Sequence, residues 1–255
     1  MNWPALTRPT RYREVVLTSC HYDEQLDSLG RPSIQLAFLM NEPLSIIRLE
    51  ALHEAPLNDN PFPFVVIENF LRPEYAADVA QDFPAIKSRG SFPLSEASGG
   101  ATFQRLVDEL NSAELKAAIA KKFDVNLDDR STMITVRGVA SSRDGRIHTD
   151  TRSKFLTMLL YLNPVWEAEG GWLRILKNGK SLEDYVAEIP PTFGTCLLFK
   201  VTDNCWHGHK PFKGTRKVLQ LNYVTDDAAL HRHLLRHSLT AKLKNLREVF
   251  VKGAA

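Results

Sequence analysis

From residue 131 onward the chain is a succession of short apolar or alternating runs: STMITVRGVA, KFLTMLLYLN, GGWLRIL, GTCLLFKV and RKVLQLNYV. Gly, Pro, Asn and Asp set these runs apart. Period-two alternation places every second side chain on one face of a strand. Several such strands in a row build an all-β sandwich or barrel rather than βαβ units. This texture constrains the fold more than any other feature of the chain.

The flanks read differently. REVVLTSC (13–20) and SIQLAFLMN (33–41), separated by the turn-prone DSLGRP, predict a hairpin. In NDNPFPFVVIENFLRPEY a Pro/Asn break precedes a strand over 64–67 and a helix from about Pro73, which AADVAQDF continues. Residues 89–103, RGSFPLSEASGGATF, form a small-residue loop of the kind that covers binding sites. Helical patterns follow over 103–111 and 113–123, and the chain turns helical again from Asp226. The expected class is mainly β with flanking helices (α+β). Its parts are an N-terminal extension over 1–58, a β domain over 59–225 with its core in 131–225, and a C-terminal helical segment over 226–255.

Composition narrows the function classes. With 44% hydrophobic residues in 255, disorder and coiled coil are excluded. The 32 Lys+Arg against 30 Asp+Glu give no bulk electrostatic basis for binding nucleic acid or a membrane surface. No run approaches the roughly 18 apolar residues of a membrane span, and MNWPALTRPTRYREVV lacks the apolar core of a signal peptide. Three cysteines exclude a disulfide scaffold and point to a reducing, cytoplasmic setting.

Several motifs do not carry through. NGKS at 178–181 looks like the end of a phosphate-binding loop, but Arg174 stands where that loop needs glycine, so a turn is expected. Cys205, His207 and His209 lack the second ligand pair of a structural zinc site. His231, His233 and His237 fall among Arg232 and Arg236 without acidic ligands, which reads as a solvated basic helix face.

RDGRIHTD places His148 and Asp150 two residues apart, on one face of an extended segment. His207 follows 59 residues after His148 (207 − 148), in DNCWHGHKPFKGTRKVLQLNYV. Two histidines and one carboxylate, two of them close and one remote, are the ligand set of a non-haem Fe(II) facial triad, which leaves three positions open. Arg216, nine residues beyond His207 (216 − 207), opens the last strand, where a buried guanidinium would hold a carboxylate bidentately. Arg216, Val218 and Gln220 share one strand face, so Gln220 is expected beside Arg216. His209 faces the same way as His207, and periodicity does not separate the two.

The segment resembles the catalytic core of the Fe(II)- and 2-oxoglutarate-dependent dioxygenases, in the prolyl 4-hydroxylase-like branch. HTD, LTMLLYLN, GGWLRIL, GTCLLF and HGHKPFKGTR occur in that family's order over about 133–224, and more weakly PFPFVVIENFL matches its lead-in. The resemblance implies a double-stranded β-helix (jelly-roll, cupin-like) core. It also implies His148, Asp150 and His207 as Fe(II) ligands, His207 being favoured over His209 by its spacing to Arg216 and by Pro211. Arg216 would bind the distal carboxylate of 2-oxoglutarate, with Tyr161 of YLN contacting the same group. The implied chemistry consumes O2 and 2-oxoglutarate, releases succinate and CO2, and hydroxylates a C–H bond, with ascorbate as a supporting reductant. Relatives that halogenate replace the carboxylate ligand with a small residue, so Asp150 favours hydroxylation.

The substrate is expected to be a peptide residue, a free amino acid or another small metabolite, selected by loops 89–103, 138–147 and 164–170. Arg137 and Arg152 are candidate contacts or plain surface residues, and Phe155 is expected in the core. Two alternatives stand beside the hydroxylase: a non-catalytic jelly-roll module that binds metal or a partner, and a cupin-type metalloenzyme that does not use 2-oxoglutarate. The N-terminal extension would add strands to a sheet or pair two copies of the chain as a homodimer.

Overall fold

The computed structural model describes residues 44–226, together with 228 and 230. The expected hairpin over 13–41 and the histidines of the C-terminal helix lie outside the described residues. Among the described residues no helix is long and apolar enough to cross a membrane.

Among the described residues four named α-helices and nine strands follow one another. Helix α1 (Leu49–Glu54) precedes strand β1 (Phe64–Ile67). A 3-10 turn at Pro73–Tyr75 leads into α2 (Ala76–Asp82), and proline at the first position suits a helix start. The two-residue β2 (Phe92–Pro93) interrupts the expected 89–103 loop before α3 (Ala101–Leu110) and α4 (Ala113–Phe123). Ser112 caps α4, its hydroxyl accepting the Leu115 N–H at 3.2 Å. The Asp82 carboxylate serves α3 in the same way, accepting the Thr102 N–H at 2.7 Å. A Cβ on Gly100 would run into that carboxylate, so glycine is needed there.

The predicted runs become β3 (Thr132–Ala140), β4 (Lys154–Tyr161), β5 (Leu173–Leu176), β7 (Cys196–Lys200) and β9 (Gly214–Val224). Strands β6 (Tyr185–Ile189) and β8 (His207–His209) complete the set. The NGKS stretch lies in the bends between β5 and β6, where Asn178 Oδ1 accepts the Lys180 N–H at 3.0 Å.

A six-stranded sheet runs β1-β7-β4-β9-β3-β2, and a three-stranded sheet runs β6-β5-β8. All strand pairs are antiparallel. The cavity described below is lined from both sheets, which places it between them. These are the two sheets of a double-stranded β-helix, the jelly-roll core expected from the sequence.

Register divides the large sheet cleanly. Its outer face sends Leu219, Leu221 and Tyr223 of β9, Leu156, Met158 and Leu160 of β4, and Ile134 and Val136 of β3 into one core with the helices. Leu106, Leu110, Leu115 and Ile119 meet them there, all fully buried. The inner face presents three cross-strand rows: Met133–Asn222–Thr157–Phe199, then Thr135–Gln220–Leu159–Leu197, then Arg137–Val218–Tyr161. A sheet covered on both faces explains why its strands read as apolar runs as well as alternating ones. Ile46, Ile47, Ala51 and Leu52 join the helical core from upstream of residue 58. Phe155 is half-buried against the same core, with the Arg130 guanidinium 3.6 Å above its ring.

Replacing Leu106 by alanine should cost about 2–5 kcal/mol, since the cavity left in so crowded a layer cannot collapse fully. Val165→Ala, at an exposed position, should stay within about 0.5 kcal/mol of the parent. Urea unfolding of the two variants beside the parent checks both.

Candidate metal centre and cavity

His148 lies outside the named strands yet is bonded to β8. Its N–H donates to the His207 carbonyl at 3.0 Å, and the His207 N–H donates back to the His148 carbonyl at 2.9 Å. Residues exchanging both backbone bonds sit directly opposite and send their side chains to one face. The two imidazoles accordingly lie with ring centroids 4.3 Å apart. Asp150, two residues on, joins them: one ligand atom from each of His148, Asp150 and His207 lies within 4.8 Å of the others. His209 is not in this group.

The protonation of each group follows from its neighbours. Nδ1 of His148 is 2.8 Å from the Arg146 carbonyl, and Nδ1 of His207 is 2.8 Å from the Cys205 carbonyl. A carbonyl only accepts, so each ring carries a proton on Nδ1, and Nε2 is the nitrogen left to face a metal. Burial, then the neighbouring His148, lowers the pKa of His207 to about 4, which keeps the imidazole neutral. Burial would raise the Asp150 carboxyl, but the Lys154 ammonium, His207 and the Thr157 hydroxyl bring it below its usual value. Lys154 Nζ is 3.0 Å from Asp150 Oδ1, and Thr157 Oγ1 donates to Oδ2 at 2.6 Å.

The group opens onto a cavity of about 400 Å³, within the range of small-molecule sites. Arg216 lies in its wall, 5% exposed. Its Nη2 donates to the Tyr161 hydroxyl at 3.4 Å and its Nε to the Gly171 carbonyl at 3.2 Å. Gly171 has φ +85°, and a Cβ there would strike Trp166, so the second glycine of GGWLRIL is what aims that carbonyl at Arg216. Asn163 of YLN pins the end of β4 to β9, accepting the Lys217 N–H at 2.7 Å and donating to the Pro191 carbonyl at 2.6 Å. Gln220 lines the cavity one row further along β9.

Other expected contacts separate. Arg152 is exposed and holds Asp203 through two 2.8 Å bonds, away from the cavity, whereas Arg137 lines it. Loops 89–103 and 138–147 contribute Ser91, Arg143, Asp144, Gly145 and Arg146 to the lining, while the turn 164–170 contributes nothing. His209 also lines the cavity, its Nδ1 2.8 Å from the Lys210 carbonyl, and burial followed by Arg216 lowers its pKa to about 4.

Sequence reasoning passed over Lys154, Thr157 and Asn222. Asn222 is fully buried, its Oδ1 3.1 Å from the Thr157 hydroxyl and from Gln220 Nε2, and its Nδ2 has no partner. The signal for Thr157 and Asn222 was present: both continue the period-two face of Tyr161 and Gln220. The role of Lys154 is set by spatial proximity to Asp150.

Because His207 and His209 have folded pKa values below the roughly 6.5 of an unfolded histidine, their contribution to stability is complete above about pH 6.5. It is lost as pH falls from there through 4, at up to about 1.4 kcal/mol per pH unit for each. Urea unfolding of metal-free protein should be flat from pH 8 to 6.5 and weaken below, and His209→Gln should reduce that slope.

The donor set, two imidazoles and a carboxylate grouped beside a cavity, suits a divalent iron ion with positions left open. Residues 138–224 match the 2OG-Fe(II) oxygenase superfamily, and they contain all six of the residues expected to bind metal or co-substrate. No curated protein sequence matches the chain. Among solved structures it is similar to a prolyl 4-hydroxylase from Phytophthora capsici, 18% identical, covering 72% of this chain and 67% of that one, TM-score 0.49. It is also similar to a Pseudomonas putida prolyl-4-hydroxylase, 16% identical, covering 69% and 96%, TM-score 0.44. A third is a Trichoplax adhaerens prolyl hydroxylase solved with a hypoxia inducible factor peptide fragment, 21% identical, covering 76% and 94%, TM-score 0.42. The match to the 2OG-Fe(II) oxygenase superfamily thus falls on residues 138–224, the stretch that holds the His148–Asp150–His207 group and Arg216.

Proposed function

We propose that this protein hydroxylates an unactivated C–H bond of a peptide or small-molecule substrate. His148, Asp150 and His207 would hold Fe(II), and Arg216, Tyr161 and Gln220 would receive 2-oxoglutarate. One observation carries the reading. Arg216 is a buried guanidinium with no carboxylate partner among the described residues, in the wall of the cavity onto which the His–Asp–His group opens. An uncompensated buried charge costs several kcal/mol, and a bidentate carboxylate ligand relieves that cost. A metal-binding module without a co-substrate has no need of it.

When bound, the metal and 2-oxoglutarate supply the oxidising chemistry: decarboxylation to succinate and CO2, with one oxygen atom delivered to the substrate. The chain's own residues prepare the site for this. Nδ1–H bonds to the Arg146 and Cys205 carbonyls orient both imidazoles before any ligand arrives. Thr157 and Lys154 hold the Asp150 carboxylate ionised and fix its plane. Tyr161, fully buried, has its phenol pKa raised by that burial against the pull of Arg216, so it stays protonated and able to donate to a carboxylate. Phe199, with its ring 5.1 Å from that of His207, and Leu173 and Leu159 keep the surroundings apolar. The low cysteine count suits a reducing, cytoplasmic setting, in which Fe(II) persists.

Full-length protein supplied with Fe(II), ascorbate and 2-oxoglutarate should release succinate slowly without added substrate. A His148→Ala, Asp150→Ala double variant should release none. Arg216→Gln should raise the half-saturating 2-oxoglutarate concentration about 30-fold or more, the effect of losing at least ~2 kcal/mol from a buried charge pair. Undiminished turnover in the double variant, or an unchanged 2-oxoglutarate dependence in Arg216→Gln, would contradict the assignment.

A further inference from the structure

A second guanidinium faces the same cavity. Arg137 on β3 stands opposite Val218 of β9, which has Tyr161 of β4 on its other side. Arg137 and Arg216 therefore share one wall, and each other's charge makes that costly. Burial most of all, and Arg216 to a lesser degree, disfavour the charged form of Arg137, opposed by Asp144 and more weakly by Tyr161.

The counter-charge the fold provides is slight. Asp144 Oδ1 is 3.7 Å from Arg137 Nη1, while Asp144 Oδ2 is committed to Ser141, accepting its N–H at 2.8 Å and its hydroxyl at 3.3 Å. The other polar contact of Arg137, to the Ser91 hydroxyl, is 3.4 Å long. Charge-assisted bonds to a guanidinium are normally about 2.7–2.9 Å, so Arg137 holds neither partner closely. Its side chain keeps 29% exposure, and the residue lines the cavity.

The charges in the cavity then point one way. Arg137, Arg143, Arg146, Lys154 and Arg216 face Asp144 and Asp150. Lys154 is paired with Asp150. On the function proposed above, Arg216 takes the distal carboxylate of 2-oxoglutarate, and the dianion together with a divalent metal adds no net charge to the cavity. The remaining positive charge gathers at Arg137, with Arg143 and Arg146 exposed toward the mouth. A neutral substrate would leave that excess in place, whereas an anion would remove it and satisfy the planar donor fork of Arg137.

We propose that Arg137 binds a carboxylate of the primary substrate, so that the molecule oxidised here is an acid. With about 400 Å³ to share between co-substrate and substrate, a free carboxylic acid suits the space better than a peptide. The inference rests on the 2-oxoglutarate reading of Arg216 and adds the substrate class to it.

The test uses full-length protein loaded with Mn(II) and 2-oxoglutarate under argon, so that binding is read without turnover. Calorimetry first measures 2-oxoglutarate itself. It then measures the twenty free amino acids, their carboxamides, and capped peptides bearing Asp, Glu or a free C-terminal carboxylate. At least one carboxylate probe should bind ten times more tightly than its carboxamide. Arg137→Gln should abolish that preference and Arg137→Lys should reduce it, with 2-oxoglutarate affinity changed less than threefold in both. Preference for a free acid assigns a small-molecule carboxylate, and preference for an acidic peptide assigns the same carboxylate to a peptide. The proposal falls if no carboxylate probe binds, if acids and amides bind alike, or if the preference survives in both variants. It falls equally if Arg137→Gln weakens 2-oxoglutarate as Arg216→Gln does, since Arg137 would then serve the co-substrate. Failure of the parent protein to bind 2-oxoglutarate with Mn(II) would instead remove the dioxygenase reading from which the inference starts.

Discussion

Two backbone hydrogen bonds, from His148 to His207 and back again, hold together residues 59 positions apart in sequence. That reciprocal pair makes the candidate metal centre a property of the minor sheet rather than of a loop. It fixes both imidazoles on one face, and because His207 belongs to β8, itself paired with β5 across Ile175, their position is tied to the sheet. Asp150 follows by simple strand parity. His209 shares the face of His207, but it sits opposite Leu173 instead of opposite His148. Register thus brings His207, and not His209, to His148 and Asp150, a distinction that period-two alternation does not contain.

The second organising feature is how the large sheet divides its residues. Outward-facing side chains of β3, β4 and β9 are almost all aliphatic and join the helices in the main core. Inward-facing ones include Arg137, Thr157, Gln220, Asn222 and Arg216. Stability and chemistry are therefore carried by alternate residues of the same strands. The polar inner face is tolerable only because its members meet each other or await a ligand. Thr157 serves Asp150, Gln220 serves Asn222, and on the proposed function the guanidiniums of Arg137 and Arg216 receive carboxylates. Burial keeps His207 and His209 neutral in this cation-rich space.

Much of this was legible in the sequence, for identifiable reasons. The apolar runs marking β3, β4, β5, β7 and β9 stand out because the large sheet is covered on both faces. Strand β6 was not legible because it lies at the edge of its sheet with Tyr185, Val186 and Glu188 exposed, so no alternation shows. It is held instead by a cross-strand ion pair, Arg174 Nε to Glu188 Oε1 at 2.6 Å. Of the site, His148 and Asp150 could be read from their i, i+2 spacing and Arg216 from its place at the start of a strand. Arg137 and Arg152 looked alike in sequence because their difference lies in what faces them: one lines the cavity and the other pairs with Asp203 at the surface.

The central claim is that His148, Asp150 and His207 form one metal centre beside a carboxylate-binding arginine. A crystal structure of the protein grown anaerobically with Fe(II) and 2-oxoglutarate tests it most directly. The account predicts a single ion bonded to Nε2 of His148, Nε2 of His207 and a carboxylate oxygen of Asp150, with the distal carboxylate of 2-oxoglutarate on Arg216 and Tyr161. An ion held by His209 in place of His207, or 2-oxoglutarate bound away from Arg216, would contradict it.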